Sequence, residues 1–157
     1  FFLLDSDREI FFLFAQAAWL KTQMEKIKAD HRIVMLHHPL YSVRRENNNL
    51  IQRWMFNDII CDAKADLVLQ GHEHGYAHCT ADEEPLKGHD CTNPPLYVIS
   101  HCSPKEYHLH PTKRFYPVIQ GSRYYQIIDV DAKAVTYKAY DVANDALIDS
   151  VRITKPK

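Results

Sequence analysis

Two short stretches decide the fold: VMLHHP at residues 34–39 and DLVLQGHEH at residues 66–74. In each stretch a run of apolar residues is followed directly by histidines. A continuous apolar run of this length is typical of a strand that is buried on both faces. We therefore predict two buried strands that each end in a pair of histidines, His37 with His38 and His72 with His74.

The position of these histidines predicts a ligand site. In an α/β sheet, ligands bind at the carboxyl ends of parallel strands, so both pairs are expected at one edge. Neutral imidazole is a common ligand for zinc, iron and manganese. Side chains alternate along an extended backbone, so His72 and His74 are expected to point the same way. We predict that His37, His72 and His74 bind metal and that His38 is the weaker candidate.

The rest of the chain predicts one α/β unit that spans residues 1–157. The first half alternates strands with helices, which favours parallel pairing, and the second half is a series of strands, which favours an antiparallel sheet. The predicted strands are residues 1–4, 33–36, 66–70, 96–100, 124–130, 135–140 and 146–153, and the predicted helices are residues 8–29 and 50–61. The apolar stripe of the first helix is predicted at Phe11, Phe14, Ala18 and Ile27, and Trp19 and Leu20 widen it. Residues 79–95 predict a loop, and residues 101–121 are irregular.

Composition excludes several classes of function. The chain has 157 residues and a formal net charge of −1, so it has no electrostatic footprint for nucleic acid or for an anionic membrane. No apolar run reaches the roughly 18 residues of a membrane span. The chain begins at Phe1 rather than at Met, and the first residues already resemble a strand. We therefore expect a piece of a longer protein.

The four cysteines leave several interpretations open. Cys79 and Cys91 flank a polar loop and are suited to a disulfide, which favours an extracytoplasmic setting, periplasmic or secreted. Four reduced thiols are the alternative. A further alternative is a small zinc site built from His78, Cys79, His89 and Cys91, although the spacing matches no closed four-ligand pattern. Cys61 lies in a predicted helix and is expected to be structural.

Other catalytic patterns are absent from the sequence. Ser100 and Ser103 lack the Gly-x-Ser-x-Gly pattern of a nucleophile elbow, and residues 72–74 are not the His-Glu-x-x-His of a zinc protease. His31 precedes a strand and is expected to be exposed. Most of the group His101, His108 and His110 are expected to be solvated, and a place at the mouth of the site is the alternative for one of them.

The two deciding stretches, with the residues around them, resemble the calcineurin-like metallophosphoesterases, and most closely the purple acid phosphatase branch. The resemblance rests on VMLHHPLYS at 34–42 and ADLVLQGHEHGY at 65–76. QAAWL at 16–20 and PLYVIS at 95–100 are similar to further segments of that family, so the resemblance covers essentially the whole chain. It implies the C-terminal half of a four-layer α-β-β-α sandwich.

The resemblance also implies a chemistry. His37 and His72 would bind one ion of a dinuclear centre of iron, zinc or manganese, and His74 would bind the other. Such a centre hydrolyses phosphate monoesters or diesters through a metal-bound hydroxide. His38, Arg44 and Arg45 are the catalytic candidates. Either arginine is suited to bidentate contact with a phosphate, and a solvated run of charge is the alternative.

Several motifs of that family do not occur in this sequence. Asp-x-His, Gly-Asp-x-x-Asp and Gly-Asn-His-Glu are absent, and in the family they supply the bridging aspartate and the asparagine ligand. We therefore expect partial or no metal occupancy and little turnover in this chain alone. The expected partners are a phosphate-ester substrate and either the missing N-terminal half or a second copy. The alternative function is a non-catalytic metal-binding or assembly module on the same scaffold.

Overall fold

The computed structural model describes residues 1–44, 49–80, 91–110 and 113–155. Its helices are α1 (Ile10–Lys26) and α2 (Leu50–Asp62). Its strands are β1 (Phe2–Leu3), β2 (Ile33–Met35), β3 (Leu67–Gln70), β4 (Tyr76–Thr80), β5 (Leu96–Ile99), β6 (Val118–Ile119), β7 (Tyr124–Val130), β8 (Ala134–Asp141) and β9 (Leu147–Thr154). Within the described residues, neither helix has the length and apolar character to cross a bilayer.

The strands form two sheets, as the sequence predicts. A six-stranded sheet has the order β1-β2-β3-β5-β4-β6, and its first four strands are parallel. A three-stranded antiparallel sheet has the order β7-β8-β9. The predicted α/β class, with a mixed sheet first and an antiparallel set afterwards, is confirmed. The loop predicted at residues 79–95 begins too early, because Cys79 and Thr80 still pair with β5.

The helices cover one face of the six-stranded sheet, but not with the predicted stripe. The buried residues of α1 are Leu13, Ala17, Leu20 and Met24. Phe11 is 80% exposed and Phe14 is 47% exposed, so the predicted stripe was wrong except at Leu20, which is fully buried. The segment FFLFAQAAWL at residues 11–20 is apolar on every side, and periodicity alone therefore cannot choose the face that meets the sheet.

The three-stranded sheet packs on the other face of the six-stranded sheet. Leu67, Tyr76 and Val98 form a second core with Val135 and Tyr137 of β8. Two cores on opposite faces explain why the parallel strands are apolar along their whole length. They also explain why the strands were recognisable in the sequence.

A polar contact crosses the second core. The Tyr76 hydroxyl donates to Asp149 Oδ2 at 2.6 Å, and His78 Nε2 lies 3.1 Å from the same oxygen. Burial lowers the pKa of His78 more than the Asp149 carboxylate raises it. His78 therefore joins the two sheets by pairing with an aspartate.

The disulfide differs from the predicted pair. Cys61 of α2 bonds to Cys91, while Cys79 is a buried thiol and Cys102 is an exposed one. Both the Cys79–Cys91 pair and the four reduced thiols were wrong, because spacing does not determine connectivity. The zinc alternative also fails in this state, since the Cys91 sulfur is not a thiolate. Its fourth member, His89, lies outside the described residues.

We expect His78 to make the fold sensitive to acid. A folded-state pKa below the unfolded value of about 6.5 means that the native state takes up the proton less readily. This contribution to stability is therefore present above about pH 6.5 and is lost as the pH falls through the His78 pKa. Thermal unfolding of wild type and His78→Gln from about pH 7.5 to about pH 5 measures it. On acidification the Tm of His78→Gln should fall less than the Tm of wild type. His108→Gln, an exposed change, serves as the control, and equal slopes in all three proteins would contradict the assignment.

Candidate metal centre

Three histidines converge at the carboxyl ends of β2 and β3. His37 Nε2 lies 3.2 Å from His72 Nδ1, and the ring centroids of His38 and His72 are 4.6 Å apart. One ring nitrogen from each of the three residues lies within 4.8 Å of the other two. The parallel pairing of β2 with β3 produces this arrangement, because it places both strand ends at the same edge.

The donor set fits one transition-metal ion. Zinc–nitrogen bonds are about 2.0–2.1 Å long, so two nitrogens at a tetrahedral angle lie about 3.4 Å apart. The observed separation of 3.2 Å between His37 and His72 is close to that value. Burial, and next the neighbouring imidazole of His38, lower the pKa of both His37 and His72. Both rings are therefore held in the neutral form that binds metal.

His38 is closer to this group than the sequence indicated. Its backbone N–H and that of His37 donate to the Ser6 hydroxyl oxygen at 2.8 and 3.1 Å. Its ring nitrogen Nδ1 lies 3.1 Å from the Ser6 carbonyl oxygen, which leaves Nε2 as the atom available to an ion. Sequence analysis did not identify Ser6 as part of the site, because a serine after a strand resembles an ordinary helix cap.

His74 lies outside that group of three. Its Nδ1 is 2.7 Å from the carbonyl oxygen of Lys105, so an N–H on Nδ1 donates there and Nε2 keeps its lone pair. The His74 ring stacks on His101 at 5.3 Å and contacts Tyr107 at 4.5 Å. A carbonyl that fixes the tautomer in this way is typical of the surroundings of metal-binding histidines.

The backbone of the turn that contains His72 and His74 is not extended. His72 has φ of 69° and His74 has φ of 47°, both in the left-handed region. The expectation that alternation along an extended chain points the two rings the same way was therefore wrong. Non-glycine residues adopt this region rarely, and such strain is concentrated at functional sites.

Glu73 is a site residue that sequence analysis missed. It is fully buried, and its Oε1 accepts from the Ser42 hydroxyl at 2.7 Å. Its Oε2 accepts the N–H groups of Val43 at 2.8 Å and Arg44 at 2.9 Å. The carboxylate thus ties the loop that follows His38 to the turn that bears His72. The only signal in the sequence was an acidic residue between two histidines.

Gly71 leaves room for the His37 ring. A Cβ atom at Gly71 would lie 3.3 Å from His37 Nδ1, and the Gly71 N–H donates to the His37 carbonyl at 3.0 Å. The amide oxygen of Gln70 accepts the N–H of Leu40 at 2.8 Å. Residues at the end of β3 therefore form hydrogen bonds with the loop that follows β2.

The other candidates lie in different surroundings. Arg44 is half-buried, and its guanidinium carbon is 4.1 Å from the centroid of the Tyr107 ring. Arg45 lies outside the described residues. His31 was predicted to be exposed, but its side chain is 7% exposed and lies 3.2 Å from Asp66, because the aspartate is buried at the start of β3. His101 stacks on His74 beside the site.

Comparisons with known proteins identify the fold. No family model and no curated protein matches the sequence. A purple acid phosphatase from yellow lupin, PPD1, matches with a TM-score of 0.69 and 13% identity, covering 88% of this chain and 28% of that one. GAP50 of Plasmodium, described as the anchor in the inner membrane complex, matches with a TM-score of 0.72 and 14% identity, covering 99% of this chain and 49% of that one.

The chain therefore shares the fold of part of this purple acid phosphatase and of part of GAP50. It spans about half of the length of GAP50 and less than a third of that of PPD1. At these identities the comparisons show the architecture, and the chemistry has to come from the residues of the site.

We expect Glu73→Gln to destabilise the chain. Glutamine has one acceptor oxygen instead of two, so it cannot accept the Ser42 hydroxyl and both N–H groups as the carboxylate does, and the hydrogen bonds that remain lose their charge assistance, at a cost of about 1–3 kcal/mol. Urea unfolding followed by far-UV circular dichroism measures the loss, with Glu106→Gln at an exposed position as the matched control. A Glu73→Gln protein as stable as the control would contradict this role.

Proposed function

We propose that this chain is the C-terminal portion of a metal-dependent phosphoesterase that hydrolyses phosphate monoesters or diesters. The observation that carries the proposal is the approach of His37 and His72 to 3.2 Å at the carboxyl edge of the sheet. The fold shared with a purple acid phosphatase supports it. So does the sequence resemblance around residues 34–42 and 65–76.

Each histidine has a role in this proposal. His37 and His72 bind one ion of iron, zinc or manganese, with His38 as a further available donor. His74 binds a second ion through Nε2, since its Nδ1 faces the Lys105 carbonyl. Bound ions of this kind polarise phosphoryl oxygens and lower the pKa of water. The chain itself lowers the pKa of His37 and His72 by burial and places the Lys105 carbonyl oxygen beside Nδ1 of His74.

The donor set among the described residues is incomplete. The group that can hold an ion consists of three imidazoles and contains no carboxylate. Asp7 Oδ1 lies 4.0 Å from His38 Nε2, but the Asp7 side chain is 86% exposed. Neutral ligands do not offset the charge of a dinuclear centre, and in this proposal further polypeptide supplies the bridging carboxylates. The share of GAP50 that this chain covers, 49%, leaves room for such a portion.

An uncovered surface marks where that polypeptide would pack. Leu3, Met35, Leu69 and Val98 form one row across the six-stranded sheet. Val98 is 1% exposed beneath the three-stranded sheet, whereas Met35 is 37% exposed and Leu3 is 68% exposed. The row lines a groove of about 380 Å³ that also contains His37 and Gln126 of β7. β7 pairs with β8 on one side only, among the described strands.

The occupant proposed for this groove is the N-terminal portion of the same fold. Its strands would extend the three-stranded sheet at β7, cover Leu3 and Met35, and bring carboxylates beside His37. The Cys61–Cys91 disulfide supports an oxidising, extracytoplasmic location for the protein.

A non-catalytic assembly module is the second candidate function. The match to GAP50, whose description is that of an anchor, favours it. The absence of carboxylates from the described histidine group favours it as well. In that function the scaffold binds a partner and the histidines are not used for hydrolysis.

Titration of the 157-residue chain with Zn(II) or Mn(II) separates the two functions. We expect weak binding of at most one ion, further weakened at least about tenfold in His37→Ala and in His72→Ala. His108→Ala, at an exposed position, is the control. Unchanged affinity in both site variants would favour the assembly module. Tight binding of two ions, with turnover of p-nitrophenyl phosphate, would contradict the incomplete site.

The uncovered row predicts that the chain on its own self-associates. Exposed apolar residues beside an open strand edge favour pairing with a second chain. Sedimentation velocity should show dimers or larger species, and Leu3→Lys should shift them toward monomer. Val142→Lys, at an exposed apolar position away from the groove, is the control. A wild-type monomer at all concentrations would contradict the assignment of this surface.

A further inference from the structure

The loop that follows β1 holds His38 in place. The Ser6 hydroxyl oxygen accepts the backbone N–H groups of His37 at 3.1 Å and of His38 at 2.8 Å. The same hydroxyl oxygen and the Ser6 carbonyl oxygen lie 3.3 Å and 3.1 Å from His38 Nδ1. Ser6 is only 3% exposed, so water does not compete for these contacts. One buried residue therefore fixes both the backbone and the ring of His38.

This loop is in turn tied to the start of α2. Gln52 Nε2 donates to the Ser6 carbonyl oxygen at 2.8 Å. The side-chain amide of Asn49, the residue before α2, donates to the carbonyl oxygen of Pro39 at 3.0 Å. The residues after β1, the residues after β2 and the first turn of α2 therefore meet at His38, and its position does not depend on a single loop.

The contacts with Ser6 determine which nitrogen of His38 is available. A carbonyl oxygen can only accept a hydrogen bond, so the contact with Nδ1 places the hydrogen on that nitrogen and leaves the lone pair on Nε2. Asp7 Oδ1 lies 4.0 Å from Nε2, which is beyond hydrogen-bond distance, and the Asp7 side chain is 86% exposed. Within the described part of the chain, Nε2 of His38 is therefore open to an ion.

The ring of His38 also lies close to the other two imidazoles. One ring nitrogen from each of His37, His38 and His72 lies within 4.8 Å of the other two, and the His38 and His72 ring centroids are 4.6 Å apart. Two nitrogens bound to one zinc ion at a tetrahedral angle are about 3.4 Å apart. His37 and His72 already have this spacing, at 3.2 Å, and a small rotation of the His38 ring brings its nitrogen to the same distance.

We propose that His38 is a third metal ligand and that Ser6 is its positioning residue, so that this chain by itself holds one zinc-type ion between His37, His38 and His72. The inference rests on the metal binding proposed above for His37 and His72, but not on hydrolysis. It gives His38 a different role from the catalytic one that the sequence resemblance implies. Three neutral imidazoles with one open position are a donor set that suits zinc. The first ion then needs no carboxylate from further polypeptide.

Zinc titration of the 157-residue chain by calorimetry tests the role of His38. We expect one site, weakened at least about tenfold in His38→Ala, with the exposed change His108→Ala as the control. Nitrogen-15 NMR of the wild-type histidines provides a second measurement. Zinc should shift the Nε2 resonance of His38, while Nδ1 keeps its hydrogen. Zinc affinity that falls in His37→Ala but not in His38→Ala would overturn this inference alone. An unshifted His38 resonance in the zinc-bound chain would do the same.

A double-mutant cycle tests the role of Ser6. Ser6→Ala should weaken zinc binding about tenfold in the wild-type background and clearly less in the His38→Ala background, because Ser6 acts largely through His38. Ser150→Ala, at an exposed position of β9, is the matched control, and circular dichroism checks the fold of each variant. Equal losses in the two backgrounds would overturn the role of Ser6. The NMR measurement uses wild type and so does not depend on how Ser6→Ala folds.

Two further results would reach beyond this inference. A chain that binds no zinc, or one whose zinc affinity is the same in His37→Ala, His38→Ala and wild type, would overturn the three-histidine site as a whole. Either result would also remove the metal role of His37 and His72 from the proposed function. Failure of His38 alone is thereby distinguishable from failure of the proposed function.

Discussion

The buried carboxylate of Glu73 holds together the two loops on which the candidate site is built. Its three hydrogen bonds fix residues 42–44 against the turn that bears His72 and His74. A fully buried acidic residue is tolerated because the N–H and hydroxyl donors replace water. Without it, the loop after β2 and the turn after β3 would be joined mainly by single contacts such as that of Gly71 with His37. The parallel pairing of β2 with β3 brings the imidazoles together, and the Glu73 hydrogen bonds hold the loops beside them.

The site and the uncovered apolar row lie on the same side of the molecule. The three-stranded sheet covers Ile33 at the start of β2 but leaves Leu3 and Met35 exposed, and the groove beside them reaches His37. In the function proposed above, one further portion of polypeptide with strands beside β7 would cover the apolar row and bring carboxylates to the histidines. The proposal therefore gives the incomplete donor set and the incomplete layer one explanation.

Part of this arrangement was predictable, because a strand that is buried on both faces is apolar at consecutive positions. The apolar runs at residues 34–36 and 67–69 predicted the parallel strands. The position of the histidines after these runs predicted the sheet edge at which the histidines meet. Strand-forming runs separated by turn-like residues predicted β7, β8 and β9. The packed side of α1 was not predictable, since residues 11–20 are apolar all round. Nor was the pairing of Cys61 with Cys91, because any of the cysteines is compatible with the spacing.

The sequence by itself determined the two helices and the strands other than β4 and β6 among the described residues, because strand burial and the position of the histidines are local properties. The tertiary structure alone decided which groups meet: Glu73 with residues 42–44, Arg44 and Lys105 with Tyr107, Asp66 with His31, and Ser6 with the backbone of His37. These partners are far apart in the chain and have no periodic signal. Only the folding of separate loops against one sheet edge brings such donors and acceptors to within 3 or 4 Å.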